Sequence, residues 1–130
     1  MTLRTLAAGA VLALAVAACG TGAASAPAPS VAPTGSASVT AITERDFSFD
    51  TPDVAVSGTP VSLAVTNAGP TIHDLTIRDS AGQVLGETED LKSGASETIT
   101  VDLPVGAYTI FCSLPGHESL GLKGTLTVTK

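Results

Sequence analysis

The stretch that decides the fold lies near the C-terminus and reads Gly106-Ala107-Tyr108-Thr109-Ile110-Phe111-Cys112-Ser113-Leu114-Pro115-Gly116-His117. Its first half predicts a strand, because Tyr108, Ile110 and Cys112 share one face by the two-residue period. Its second half predicts a turn, since Pro and Gly interrupt regular structure there. A Cys that closes a strand and a His five positions later, across a Pro-Gly turn, can converge on one centre from a single loop.

The chain from residue 39 to residue 130 shows the same alternation elsewhere, and no segment carries a sustained apolar stripe of helical period. Alternating apolar residues predict further strands at Val61, Leu63 and Val65, at Ile99, Val101 and Leu103, and at Leu126 and Val128. Shorter candidate strands cover residues 40–43, 47–49, 54–56 and 72–78. Gly- and Pro-rich turns separate these segments. We therefore expect one all-β domain at residues 39–130, a two-sheet antiparallel β-sandwich of Greek-key type.

The first 38 residues do not belong to that domain. Arg4 precedes an apolar run at residues 6–18, a pattern typical of an export signal at residues 1–18. The signal ends in Val16-Ala17-Ala18-Cys19, which resembles the lipobox of bacterial lipoproteins and predicts lipidation of Cys19. Ordinary cleavage at small residues, which would leave Cys19 as a thiol, is the alternative. Residues 19–38 are rich in Ala, Pro, Ser and Gly and predict a disordered tether.

The charge of the chain limits the kinds of molecule that it could bind. Without the signal, five Lys and Arg residues stand against twelve Asp and Glu, a net charge of −7. A nucleic-acid partner is not expected, because phosphate binding needs basic patches. Two acidic clusters stand out, one at Glu87, Glu89 and Asp90 and the other at Asp46, Asp50 and Asp53. Both are interpreted either as solvated loop surface or as part of a docking face.

Three side chains carry the chemistry of the exported domain: His73, Cys112 and His117. Separately, His73 and Cys112 could be ordinary core residues. An unpaired thiol is a liability in an oxidising compartment, however, and with Cys19 lipidated no disulfide partner remains. One thiolate and two imidazoles form a trigonal set that favours copper with weak axial interaction. By ligand count, a Cys-His₂-water zinc site is also possible.

The residues at 106–117, together with Gly121-Leu122-Lys123-Gly124-Thr125-Leu126-Thr127-Val128, resemble the C-terminal ligand loop and final strand of the cupredoxin family. Val65-Thr66-Asn67-Ala68-Gly69 resembles the segment that leads to the family's first His ligand. The resemblance covers most of residues 39–130. It implies a cupredoxin-like sandwich in which His73, Cys112 and His117 bind one type 1 copper ion, Cu(I) or Cu(II), and pass single electrons.

Two positions depart from the family's pattern. Leu122 stands where the family usually has an axial Met ligand, and Met1 is the only methionine in the sequence. We expect Leu122 to be non-ligating and the lost thioether to favour Cu(I). Asp74 follows His73 where many relatives have Asn. Asp74 could accept hydrogen bonds from the Ser113 N–H or hydroxyl, and its charge would favour Cu(II). The alternative is that Asp74 is an exposed strand residue.

The resemblance also implies how the protein meets its partners. A redox donor and acceptor would dock near His117, over an apolar collar formed by residues 114–116, residues 120–122 and Pro70. The protein is expected to be a monomer tethered to the extracytoplasmic side of the cell membrane through Cys19.

Copper binding and delivery is the main alternative function. Two further alternatives are an enzyme with Cys112 as nucleophile and His117 as base, and a metal-free interaction module.

Overall fold

The structure is a computed structural model and describes residues 38–130. The predicted export signal, the lipidation of Cys19 and the tether up to residue 37 lie outside the described residues. Within residues 38–130, no helix has both the length and the apolar character needed to cross a membrane.

Short strands account for most of the described residues, and a single turn of helix is added near the C-terminus. In chain order the elements are β1 (Val39–Arg45), β2 (Ser48–Phe49), β3 (Asp53–Ser57), β4 (Val61–Asn67), β5 (Thr76–Arg78), β6 (Val84–Glu87), β7 (Ser96–Val101), β8 (Gly106–Phe111), α1 (His117–Leu120) and β9 (Lys123–Thr129).

The strands form two sheets, in the orders β2-β1-β4-β7 and β3-β9-β8-β5-β6. The predicted all-β, two-sheet sandwich is therefore confirmed. The sheets are mixed rather than purely antiparallel, because β1 pairs with β4 and β3 pairs with β9 in parallel. Parallel neighbours need a crossover between them, and the chain supplies one by visiting the second sheet as β3 between β1 and β4. Alternation predicts which face a side chain takes, not which strand lies beside it.

One hydrophobic core draws side chains from both sheets. It includes Leu63 and Val65 of β4, Ile77 of β5, Ile110 of β8 and Leu126 of β9, all completely buried. These are the positions that alternation assigned to inward faces. Burying an aliphatic side chain of this size contributes about 1.5–3 kcal/mol, so the two sheets are held face to face mainly by this layer.

The segment predicted as a strand at residues 72–78 is only partly one. β5 begins at Thr76, and His73 lies before it, in an isolated antiparallel bridge to Leu91. His73, Leu75 and Ile77 are all buried, as the two-residue period predicts, but Asp74 and Thr76 are buried as well. Strand β6 and helix α1 were not predicted, because each has only four residues. That is too few to show the two-residue period of a strand or the 3.6-residue period of a helix.

A tyrosine fixes the corner between β7 and β8. The sequence predicts that Tyr108 bonds nearby backbone at this corner, and its hydroxyl donates a hydrogen bond to the carbonyl of Pro104 at 2.7 Å. The bond ties the start of β8 to the turn before it. It therefore fixes the beginning of β8, the strand that Cys112 directly follows.

Glu44, near the end of β1, is a completely buried carboxyl group. Among the described residues, neither of its carboxyl oxygens has a hydrogen-bond partner. Burial raises the pKa of Glu44 to about 7, and the negative charge of Asp74 adds to the effect. An ionised carboxylate without partners is costly in such a place, so the folded protein keeps a proton on Glu44 in mildly acidic solution.

This buried acid makes the stability depend on pH. Between about pH 4.5 and 7 the folded state retains the Glu44 proton and the unfolded state releases it, so the free energy of unfolding falls as pH rises through that window. We predict that E44Q removes this fall. Raising the pH from 4.5 to 8 should therefore lower the free energy of unfolding of the wild type by about 2–3 kcal/mol more than it lowers that of E44Q. Urea unfolding of the metal-free protein at several pH values measures it.

The matched control is E89Q, which removes an exposed carboxylate of the same kind and leaves the pH dependence as in the wild type. If E44Q and the wild type lost stability in parallel between pH 4.5 and 7, Glu44 would not be the titrating group.

Candidate metal centre

Three elements at one end of the sandwich supply the candidate ligands. His73 lies between β4 and β5, Cys112 directly follows β8, and His117 is the first residue of α1. The backbone N–H of Cys112 donates to the carbonyl of Leu122 at 3.0 Å, which extends the pairing of β8 and β9 past the end of the strand. The backbone of Cys112 is therefore fixed by the same kind of hydrogen bond as the residues of β8.

Asn67 braces the loop that leads to His73. Its completely buried side-chain amide donates to the carbonyls of Thr71 and Leu91, at 2.7 and 2.8 Å, and its Oδ1 accepts the N–H of Gly69 at 2.8 Å. The backbone of His73 exchanges two further hydrogen bonds with Leu91, at 3.1 and 2.7 Å. Because one buried side chain satisfies three backbone groups, this loop has one well-defined path.

The loop from Cys112 to His117 turns back at Gly116. The φ angle of Gly116 is 87°, in the left-handed region that residues with a Cβ rarely adopt. The N–H of His117 donates to the carbonyl of Leu114, and the N–H of Leu122 donates to the carbonyl of His117, both at 3.1 Å. This tight turn brings the imidazole of His117 back toward Cys112, as the Pro-Gly spacing predicts.

Asp74 joins the two ligand segments. It accepts the Ser113 N–H at 2.7 Å and the Ser113 hydroxyl at 2.6 Å, and it also accepts the Thr76 hydroxyl at 3.0 Å. Asp74 is only 4% exposed, so the alternative that it is an exposed strand residue is wrong. Burial alone would raise the pKa of Asp74, but the hydrogen bonds from Cys112, Ser113 and Thr76 outweigh it and the pKa is lowered. The side chain is therefore a buried, ionised carboxylate.

The structure brings all three predicted ligand atoms together. Nδ1 of His73 lies 3.1 Å from Nδ1 of His117, and Nδ1 of His117 lies 3.3 Å from Sγ of Cys112. The three donor atoms all lie within 4.8 Å of one another. Donors at about 2.0–2.3 Å from one metal ion in a trigonal plane are roughly 3.5–4 Å apart, so the cluster has the size of a metal site.

Metal binding at this cluster is coupled to the loss of a proton from Cys112. Burial raises the pKa of the Cys112 thiol to about 12, and the Asp74 carboxylate contributes to the rise. A thiol in this place keeps its proton at neutral pH unless a cation replaces it. Metal ligation needs the thiolate, so binding at this site displaces a proton from Cys112.

Leu122 sits at the position the family resemblance assigns to the axial ligand. It is completely buried and belongs to the hydrophobic core. Its backbone connects to both ligand segments through the bonds to Cys112 and His117. The residue therefore belongs to the core next to the ligand segments and has no donor atom in its side chain.

The surface around His117 is partly apolar. His117 is half-buried, whereas His73 and Cys112 are fully buried. Leu120 is 61% exposed, and Pro70, Pro115 and Gly116 are exposed as well. Of the residues named for the apolar collar, Leu122 does not reach the surface.

Five residues in contact with the ligands or with the ligand segments were not assigned to the site by sequence reasoning. Arg78 of β5 forms a two-point salt bridge with Glu118 of α1, and its guanidinium lies 4.1 Å from the centre of the Phe111 ring. In the turn between β1 and β2, Asp46 contacts the imidazole of His73, and Phe47 contacts the imidazoles of both His73 and His117. All of these contacts join residues 26 or more positions apart, so no local pattern reveals them.

Both acidic clusters reach the site, the second of them through the contact of Asp46 with His73. Glu87, Glu89 and Asp90 line a polar cleft of about 280 Å³ that also reaches Asp74 and Ser113. In the other cluster, Asp50 pairs with Arg45 at 2.6 Å. The acidic residues are thus not all equivalent solvated loop positions.

Solved structures share the fold. The structure superposes on reduced auracyanin from Roseiflexus castenholzii with a TM-score of 0.64 and 23% identity, covering 74% of this chain and 100% of that one. For an azurin from Methylomonas sp. strain J, the TM-score is 0.62 at 21% identity, with coverage of 71% and 98%. A purple cupredoxin from Nitrosopumilus maritimus gives a TM-score of 0.55 at 17% identity, with coverage of 69% and 99%.

Sequence comparison agrees with the fold. Azurin from Pseudomonas denitrificans is 39% identical over 56 residues, and auracyanin-B from Chloroflexus aurantiacus is 46% identical over 46 residues. The matched segments span 40% and 35% of this chain, and only 43% and 20% of these two relatives. The model of the cupredoxin-like domain, in contrast, matches residues 9–128. Since that match spans nearly the whole sequence, the chain belongs to the cupredoxin-like family.

Proposed function

We propose that this protein binds one copper ion through His73, Cys112 and His117 and carries single electrons between extracytoplasmic redox partners. The observation that carries the proposal is the convergence of two imidazole nitrogens and one thiol within 4.8 Å. When bound, copper supplies a one-electron couple. A soft thiolate suits Cu(I) and the imidazoles suit both oxidation states.

The protein's own residues supply rigidity. Asp74 holds Ser113, Asn67 holds the loop before His73, and Arg78 holds Glu118 of α1. Each of these contacts fixes a segment that carries a ligand. Ligands held in one place rearrange little when the charge at the site changes, and small rearrangement is what fast electron exchange requires.

Burial of the ligands supports retention over delivery. His73 is completely buried and Cys112 is 1% exposed, so a metal-accepting partner could approach only the half-buried His117. An enzymatic role for Cys112 is disfavoured for a related reason. A nucleophilic cysteine needs a lowered pKa, whereas burial raises that of Cys112 to about 12.

The surface around His117 supports docking there. Leu120, Pro70 and Pro115 offer an exposed apolar face beside the ligand closest to solvent. The acidic cleft at Glu87, Glu89 and Asp90 lies on the Asp74 side of the same region and favours a partner with a basic rim. We further propose that the protein is a monomer tethered to the extracytoplasmic side of the membrane through lipidated Cys19.

Copper addition tests the ligand set directly. We predict an intense visible band from thiolate-to-copper charge transfer when Cu(II) is added to the purified protein, and loss of that band in C112S. The matched control is C19S, which removes the only other cysteine in the sequence and keeps the colour. A wild-type protein that stays colourless with copper, or a band that survives in C112S, would contradict the proposal. Zinc alone produces no such band.

The absence of an axial methionine sets the direction of the reduction potential. We predict that L122M lowers the potential by tens of millivolts, because a thioether donor stabilises Cu(II) relative to Cu(I) and 59 mV corresponds to a tenfold change for one electron. Protein-film voltammetry measures the potential of both proteins.

The control for this substitution is L126M, which makes the same exchange at another completely buried core position at a stability cost below about 1.5 kcal/mol. It should leave the potential unchanged. An unchanged or higher potential in L122M would show that position 122 does not face the metal.

A further inference from the structure

The turn between β1 and β2 contacts the candidate metal centre from outside the ligand segments. His73 has two ring nitrogens, and they face different groups. Nδ1 faces His117, at 3.1 Å, and Nε2 faces Oδ1 of Asp46, at 3.3 Å. The neighbouring Phe47 places its ring edge-on to both imidazoles, with centroids 6.1 Å from His73 and 5.2 Å from His117.

The path of this turn is fixed by close contacts with two glycines. A Cβ on Gly69 would lie 2.8 Å from Oδ1 of Asp46 and 3.0 Å from its backbone nitrogen. A Cβ on Gly121 would lie 2.9 Å from the carbonyl oxygen of Phe47. Phe47 itself has a φ of 61°, which residues other than glycine adopt only where the surroundings require it. The turn is therefore fitted closely against the segments that carry the ligands.

We propose that Asp46 is a positioning residue for the metal centre. Its carboxylate accepts the Nε2–H of His73, so that the imidazole keeps its proton on Nε2 and presents the lone pair of Nδ1 to the metal. The negative charge of Asp46 also favours the oxidised, more positive state of the site. This inference rests on the proposed function for its second half only, since the tautomer of His73 exists with or without metal.

The chemistry of imidazole ligands supports this role. A histidine that binds a metal commonly donates its other ring N–H to a carboxylate or carbonyl, which fixes the tautomer and strengthens the donor. His73 is completely buried, so water does not compete for Nε2, whereas the Asp46 side chain is 38% exposed. Asp46 is therefore placed to accept the ring N–H of His73 from within the protein.

Two substitutions separate the hydrogen bond from the charge. D46N keeps an oxygen acceptor at Oδ1 and removes the charge, and D46A removes both. The control D102N removes a charge from an exposed residue just after β7, at the far end of the sandwich: Val101 pairs with Val61 at the start of β4, while Asn67 at the end of β4 braces the site.

The first readout is the tautomer of His73 in the metal-free protein, from two-bond ¹H–¹⁵N correlations of the imidazole ring. We expect the Nε2–H form in the wild type, in D46N and in D102N, and a loss of that preference in D46A. The same mixture of tautomers in D46A and the wild type would overturn the positioning role. This measurement needs no copper, so it stands or falls apart from the proposed function.

The second readout is the reduction potential of the copper-loaded protein. We expect D46N and D46A to shift the ratio of Cu(II) to Cu(I) affinity about tenfold toward Cu(I), a rise of about 59 mV for one electron, and D102N to leave it unchanged. A potential in D46N equal to that of D102N would overturn the electrostatic half of the proposal. Failure of every variant and the wild type to bind copper would refute the proposed function, leaving the tautomer result to decide the role of Asp46.

Discussion

The hydrogen bonds from Ser113 to Asp74 join two parts of the chain that are 39 residues apart in sequence. One part carries His73 and the other carries Cys112 and His117, so the donor cluster exists only while these parts stay together. A buried carboxylate that accepts a backbone N–H and a hydroxyl makes strong, charge-assisted contacts. If Asp74 lost its charge or its partner, this tie between Ser113 and the segment of His73 would weaken, and the pairing of β5 with β8 would still hold the two parts side by side.

Two buried acids near this end of the sandwich have opposite protonation states for physical reasons. Asp74 is surrounded by donors, and its pKa is lowered despite burial. Glu44 has no donor among the described residues, and its pKa is raised to about 7. The charge of Asp74 is part of what keeps Glu44 neutral. One negative charge is thus placed beside the ligand loop, while a second is suppressed.

Much of the fold and the ligand set could be predicted from the sequence. Alternation identified the inward faces of β4, β8 and β9, and the Pro-Gly turn between Cys112 and His117 predicted their approach. The parallel pairs could not be predicted, since neighbouring strands are chosen by packing of the whole chain. Asp46 and Phe47 could not be predicted for the same reason. Their contacts with His73 depend on the position of the turn between β1 and β2, which packs closely against Gly69 and Gly121. From the sequence alone, Glu44 is an ordinary polar residue of a strand, because only the structure shows that it is buried.

The central claim is that two imidazoles and one thiolate hold copper with no second sulfur ligand. X-ray absorption at the copper edge of the loaded protein tests it most directly. We predict two nitrogen neighbours at about 2.0–2.1 Å and one sulfur at about 2.3 Å or slightly less, with the sulfur contribution absent in C112S. A first shell made only of nitrogen and oxygen atoms in the wild type, or one with two sulfur atoms, would contradict it.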